Sequence, residues 1–225
     1  TKGLIIICGP TGSGKTTTLY AALREIDKES VSIATLEDPV EYKIDGLSQS
    51  QIGKKGGIAF HEGLRALLRQ DPDILVIGEI RDDETATIAV RAALTGHLVF
   101  STIHANEAAA VPERLVDMGV PAYLVGDALL CTAAQRLVRR HCAVCGGTGC
   151  LACNFSGYDG RGCLAEVIYF TNRTKEAVRR DASTGAVRKG AQEKIFFKET
   201  AMAMVRDGLT DEREIMRVCG EDHEY

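Results

Sequence analysis

A chain of 225 residues can bury a sizeable core, and 45% apolar with 26% charged content suits a folded globular protein, not a disordered or fibrous one. With 31 acidic against 27 basic side chains the formal charge is -4, which gives no general electrostatic reason to bind nucleic acid or anionic lipid. No apolar run approaches the ~20 residues needed to span a bilayer and no charged-then-apolar leader opens the sequence, so a cytoplasmic protein is expected.

The first element is an apolar strand over residues 4–8, reached directly from Thr1-Lys2-Gly3. So abrupt an entry into the core leads to the expectation that the chain is a fragment lacking an N-terminal domain. Gly9-Pro10-Thr11-Gly12-Ser13-Gly14-Lys15-Thr16 follows, and Thr17 continues into a helical run through Leu23. The spacing is that of a phosphate loop, in the strand-before, helix-after context its mechanism requires. Glycines let the loop fold back so that successive N–H groups point inward, and the helix adds the positive end of its dipole. On this reading residues 9–17 bind ATP, Lys15 reaches the β- and γ-phosphates and the Thr16 hydroxyl holds Mg2+. The bland alternative, a glycine-rich turn without a ligand, is opposed by the agreement of loop, lysine, hydroxyl and flanking elements.

A β-rich run over 31–36 ends at Glu37-Asp38-Pro39-Val40-Glu41, placing acids at a strand's carboxyl end, where open α/β sheets bind ligands. Glu37, Asp38 and Glu41 could hold waters on magnesium or position the nucleotide. They could equally form a turn, and spacing leaves the two readings even. A polar, glycine-dotted stretch through Gly57 predicts loop or short antiparallel strands, and 60–69 reads as a helix with Leu64, Leu67 and Leu68 on one face. After Asp71-Pro72-Asp73, the apolar run 74–79 is a buried parallel strand delivering the carboxylate of Glu79. Glu79 is the candidate catalytic group for orienting and deprotonating water, against the plainer reading of an acid paired with Arg81.

Asp83 is positioned to cap the next helix and Gly96 to end it. His97 and His104 bracket the following strand, seven residues apart and pointing to opposite faces; each is either structural or a γ-phosphate sensor. Helical patterns cover 107–117 and 123–134, a strand covers 163–170, and short helices are expected at 172–180, 194–207 and 211–219, the last capped near Thr210. Such alternation predicts an α/β fold with a mostly parallel sheet covered on both faces. The local basic cluster of Arg136, Arg139, Arg140 and His141 reads more readily as a solvated element end than as a docking patch.

Of eight cysteines, Cys142, Cys145, Cys150 and Cys153 fall within twelve residues as two Cys-x2-Cys knuckles. Glycines at 146, 147 and 149 permit tight turns between them, and four thiolates around one tetrahedral Zn2+ leave no open position, so a structural zinc is expected over free thiols. Residues 142–149 also resemble one unit of the DnaJ-type chaperone zinc module, but only a single full unit is present.

Taken in order, residues 9–18, Thr35-Leu36-Glu37-Asp38-Pro39-Val40-Glu41-Tyr42, 64–73, Gly78-Glu79-Ile80-Arg81-Asp82, 95–104 and Ala134-Gln135-Arg136-Leu137 resemble the ATPases of type II secretion and type IV pilus assembly over nearly the whole chain. The resemblance implies a RecA-like P-loop NTPase core, with Glu37, Asp38 and Glu41 as the acidic box, Glu79 as the Walker B glutamate and His97 and His104 as the histidine box. It also implies a hexameric ring of identical subunits whose ATP turnover drives assembly of a pilus or pseudopilus at the cytoplasmic face of the inner membrane, through platform and adaptor proteins. The tetracysteine element points to secretion and pilus-extension members, although many of them separate the two cysteine pairs by a much longer segment.

The expected organisation is a RecA-like core over 1–140, a zinc element over 141–162, a returning core strand over 163–170 and a helical subdomain over 171–225. In the family the N-terminal half supplies arginines to the nucleotide and contacts the membrane platform, so this part alone is expected to hydrolyse ATP weakly. The alternative is a nucleotide-gated, non-hydrolysing scaffold using its zinc element as a protein-interaction module. A DNA-directed RecA-type ATPase is disfavoured by the acidic balance and the lack of an aromatic-studded basic stretch, and no nucleic-acid partner is expected.

Overall fold

The computed structural model describes residues 1–52 and 59–220. Its strands are β1 (Gly3–Cys8), β2 (Ile33–Glu37), β3 (Ser48–Gln51), β4 (Ile74–Ile77), β5 (Leu98–Ile103), β6 (Leu129–His141), β7 (Tyr158–Tyr169) and β8 (Lys194–Ile195). They form one sheet in the order β3-β2-β4-β5-β1-β6-β7-β8, parallel from β3 through β6 and antiparallel where β7 and β8 are added. The helices are α1 (Lys15–Arg24), α2 (Phe60–Leu68), α3 (Asp83–Leu94), α4 (Val111–Asp117), α5 (Ala122–Ala128), α6 (Asn172–Arg180), α7 (Thr184–Gly190), α8 (Phe197–Arg206) and α9 (Glu212–Cys219).

Period-two alternation explains why both faces are covered. Ile7, Ile33, Ile74, Val76 and Phe100 point to one face and pack with Leu19, Tyr20 and Leu23 of α1. Leu4, Ile6, Cys8, Leu75, Ile77, Val99 and Ile103 point to the other and join Leu64 of α2, the alanine face of α3 and the helices after β5. This is the mostly parallel, RecA-like α/β arrangement expected from the sequence. Among the described residues no helix is long and apolar enough to cross a membrane.

Several elements differ from expectation. The run 123–134 is not one helix: α5 stops at Ala128, Leu129 turns extended at φ -67 and ψ 131, and β6 fills the slot between β1 and β7. Residues 131–134 of β6 are thereby paired on both edges, a tertiary gain that outweighs the helix propensity of its leucines and alanines. The stretch after the acidic group contributes β3, which pairs parallel with β2, not antiparallel; residues 53–58 of that stretch lie outside the described residues. Asp82, not Asp83, caps α3 by accepting from the Thr85 N–H at 2.7 Å, and Asp211 caps α9 while Thr210 donates to the Arg139 carbonyl. β7 begins at Tyr158, well before Cys163; α7 arises where no helix was predicted; and the 194–207 helix is β8 followed by α8.

Candidate functional site

Parallel strands deliver their carboxyl ends to one edge of a sheet, and here the chain leaves β1, β2, β4 and β5 at one level. Cys8 pairs with Ile103, Leu36 with Ile77 and Ile77 with Ser101. The four segments that follow surround a cavity of about 1000 Å3. It is lined by Thr11 to Thr17 without Ser13, by Glu37, Asp38 and Glu41, by Gly78, Glu79 and Arg81, and by Thr102 and His104.

The loop over 9–14 owes its shape to close approach of β6. A Cβ on Gly9 would lie 2.6 Å from the Gln135 carbonyl oxygen and 2.7 Å from Ser13 Oγ, at a φ of 146°. Gln135, 3% exposed, donates from Nε2 to the Ser13 carbonyl at 2.8 Å and so fixes the loop from a residue 122 positions away. Gly14, left-handed at φ 88°, precedes α1 without any side-chain cap and without acids in the first turn. The first N–H groups of the helix have no intrahelical partner and face outward with the positive dipole end, as an anion site requires. Ser13 Oγ is buried with no hydrogen-bond partner. Lys15 Nζ donates to the Gly9 and Pro10 carbonyls at 2.9 and 3.0 Å. Burial pushes the Lys15 ammonium below its ordinary range, with the Glu79 carboxylate pulling the other way.

The acidic residues divide by environment. Glu37 is 3% exposed and accepts from Tyr20 Oη, from Thr35 Oγ1 at 2.6 Å and from Gln49 Nε2 at 3.3 Å. Asp38 faces Arg81 Nη1 at 3.4 Å, and Glu41 is exposed at the cavity wall. Glu79, just past β4, is paired with Arg81 Nη2 and lies 3.5 Å from His104 Nε2. Burial works to raise the Glu79 carboxyl, but hydrogen bonding and charge from Arg81, with His104 and Lys15 adding, outweigh it and hold the group below the usual carboxylate range. The carboxylate offered to the cavity is therefore ionised at neutral pH, paired with Arg81 while it lines the cavity.

His97 is not brought to this site. It sits at the amino end of β5, about seven strand residues or roughly 23 Å from His104, with Nδ1 3.0 Å from the Ala92 carbonyl. Conversely, Tyr20 holds the site without having been singled out, and Gln135 and Leu137, noted only within a family-like segment, hold or line it. Their signal was weak, since each acts across a long sequence separation.

Cys142, Cys145, Cys150 and Cys153 have their sulfurs within 4.8 Å of one another. The Cys145–Cys153 and Cys150–Cys153 sulfurs are 3.8 Å apart and Cys142–Cys150 4.0 Å, against about 3.8 Å for thiolates at the corners of a tetrahedral zinc site. N–H groups of Gly149 and Cys150 donate to the Cys145 and Cys153 sulfurs at 3.2 Å each. Gly157 lets the knuckles close, since a Cβ there would lie 2.4 Å from the Gly147 carbonyl. The four-residue gap between the pairs is thus compatible with one four-thiolate metal site.

The chain matches the Type II/IV secretion system protein family over residues 1–217. It belongs to that family. Among curated relatives it is 46% identical to the type II secretion system protein HxcR of Pseudomonas aeruginosa, with 96% of this chain and 48% of that protein aligned. It is 41% identical to the type II secretion system ATPase E of Vibrio cholerae, over 97% and 49% respectively. The chain thus spans about half the length of the family members it matches. Among solved structures, the pilus retraction motor PilT with bound ADP is similar at a TM-score of 0.80 and 30% identity, covering 99% of this chain and 62% of that one. The Legionella pneumophila ATPase DotB gives 0.77 and 27%, covering 95% and 58%.

Proposed function

We propose that this chain is the ATP-hydrolysing part of a motor that powers assembly of a type II secretion pseudopilus or a type IV pilus. The working form is a ring, a hexamer in the full-length protein, peripheral to the cytoplasmic face of the inner membrane through platform and adaptor proteins. The observation that carries this reading is the meeting, in one cavity, of an uncapped phosphate loop with an ionised glutamate from the adjacent strand end. The solved ATPases of similar fold and the ADP in the PilT structure support it.

The residues divide the work. Residues 9–17 take the phosphates, and Lys15 exchanges its two carbonyl partners for phosphate oxygens. The Thr16 hydroxyl, with Asp38 and Glu41 acting through water, would hold Mg2+, which would supply neutralisation of phosphate charge. Glu79 orients water and takes its proton, with Arg81 and His104 fixing its carboxylate. Glu37 supports the loop over 38–41 through Tyr20, whose hydroxyl also accepts from the Glu41 N–H at 3.3 Å. The tetracysteine element holds one structural zinc.

In the intact protein Lys15→Ala should abolish nucleotide binding, whereas Glu79→Gln should keep it and slow hydrolysis by roughly 100- to 10,000-fold. Normal turnover by Glu79→Gln, measured as phosphate release, would assign the base to another residue. A second reading is favoured by one feature: Val144, Leu151 and Phe155 stand 76, 81 and 71% exposed on the cysteine element. An ATP-binding scaffold working through that surface is indicated if the intact protein binds ATP without turning it over.

A further inference from the structure

The segment that leaves His104 is anchored by a charged cluster outside the cavity. From His104 the chain passes through Ala105, Asn106 and Glu107 into a 3-10 turn at Ala108–Ala110. Arg136 Nη2 donates to the Asn106 carbonyl at 2.7 Å, and Thr132 Oγ1 donates to the Ala108 carbonyl at 2.9 Å. Glu166 on β7, 1% exposed, accepts from the Ala108 N–H at 2.7 Å. Arg188 on α7 pairs through Nη2 with the Glu107 carboxylate and lies 3.4 Å from Glu166 Oε2. It is held in turn, with its guanidinium 5.1 Å over the Phe196 ring and its carbonyl accepting from Lys194 Nζ at 3.1 Å.

Burying a carboxylate such as Glu166 is costly unless a cation and hydrogen bonds answer it, so this cluster has one favoured arrangement. Only three residues separate His104 from Ala108, a span of at most about 14 Å when extended, so displacement of the anchor reaches the histidine directly. The His104–Glu79 contact is long at 3.5 Å, and a shift of a few tenths of an ångström decides whether it is made.

We propose that Arg188, acting through Glu107 and Glu166, is a positioning residue for hydrolysis: it fixes the loop that sets His104 against Glu79, making the helical C-terminal part a determinant of turnover. This rests on the ATPase reading above. A purely structural cluster would lower stability when broken yet leave the rate per folded molecule unchanged.

The test is steady-state kinetics with Mg-ATP on the intact protein, beside thermal unfolding and amide hydrogen exchange over 104–110, for wild type, Arg188→Met, Arg188→Lys and Glu107→Gln. Arg188→Met should lower kcat at least tenfold with KM within twofold, and speed exchange over 104–110 about tenfold. Arg188→Lys, which keeps the charge but reaches one carboxylate, should recover part of both. A kcat within twofold of wild type with exchange unchanged overturns the proposal, as does an effect confined to KM. Should Arg188→Met fail to fold, Glu107→Gln, which leaves Glu166 to pair with Arg188, must show the same split. If wild type itself shows no turnover, the ATPase reading fails, and exchange over 104–110 unchanged in Arg188→Met would independently overturn the anchor.

Discussion

Glu37 and Glu79 stand at neighbouring strand ends one sheet position apart, yet the fold gives them different work. Glu37 is enclosed by Tyr20, Thr35 and Gln49, so its oxygens are committed to holding structure. Glu79 keeps 24% of its side chain exposed to the cavity and is charged because Arg81 outweighs the burial penalty. A group whose carboxyl is held low stays ionised above that value and loses its charge only as pH falls through it. Protonation of Glu79 should therefore not limit hydrolysis until pH drops below the ordinary glutamate range near 4.3. Arg81→Ala removes the main stabilising charge, leaves the burial penalty, and should move the acid limb of the kcat–pH profile upward; an unmoved limb would show that Glu79 is not the titrating base.

At the scale of elements, legibility followed the range of the interactions. The phosphate loop, the Glu79 strand and the cysteine knuckles are local patterns whose chemistry needs fixed spacing, and each was readable. β6 was not, because its alanines and leucines become a strand only by pairing with β1 and β7. The clamp of Gln135 on Ser13 and the seat of Tyr20 on Glu37 are tertiary contacts with no local signature. His97 and His104 flank β5 at opposite ends, so of the two only His104 lines the cavity.

Three large apolar side chains of the cysteine element, Val144, Leu151 and Phe155, face solvent, so a metal bound by the four thiolates would do the holding that an apolar core does elsewhere. Its flank is pinned where His141 Nδ1 and Nε2 meet the Gly208 carbonyl and Asp211, and where buried Glu214 of α9 accepts from Arg139 and Arg217. Metal analysis of reduced protein should find about one zinc per chain, and Cys150→Ser or a strong chelator should remove it and open amides over 142–157 to exchange. Cys163→Ser, outside the cluster, should retain the metal. Absence of zinc from freshly purified wild type would contradict the assignment.

For the whole molecule, the sheet explains how one site can feel several parts of the chain. β6 carries Gln135 against the phosphate loop and Arg136 against the loop after His104, and it continues to the cysteine element. The antiparallel addition of β7 and β8 then brings the C-terminal helices to the same sheet, so Arg188 reaches Glu107 on the loop that follows His104. Arg81 lines the cavity and remains 59% exposed, so its charge is open to further partners. The most direct test of the central claim is ATP hydrolysis by the intact protein at concentrations spanning monomer to assembled ring, with this chain alone beside it. The account predicts turnover per chain that rises with assembly and is weak in the isolated part. Bound ATP without hydrolysis at any concentration would contradict a motor.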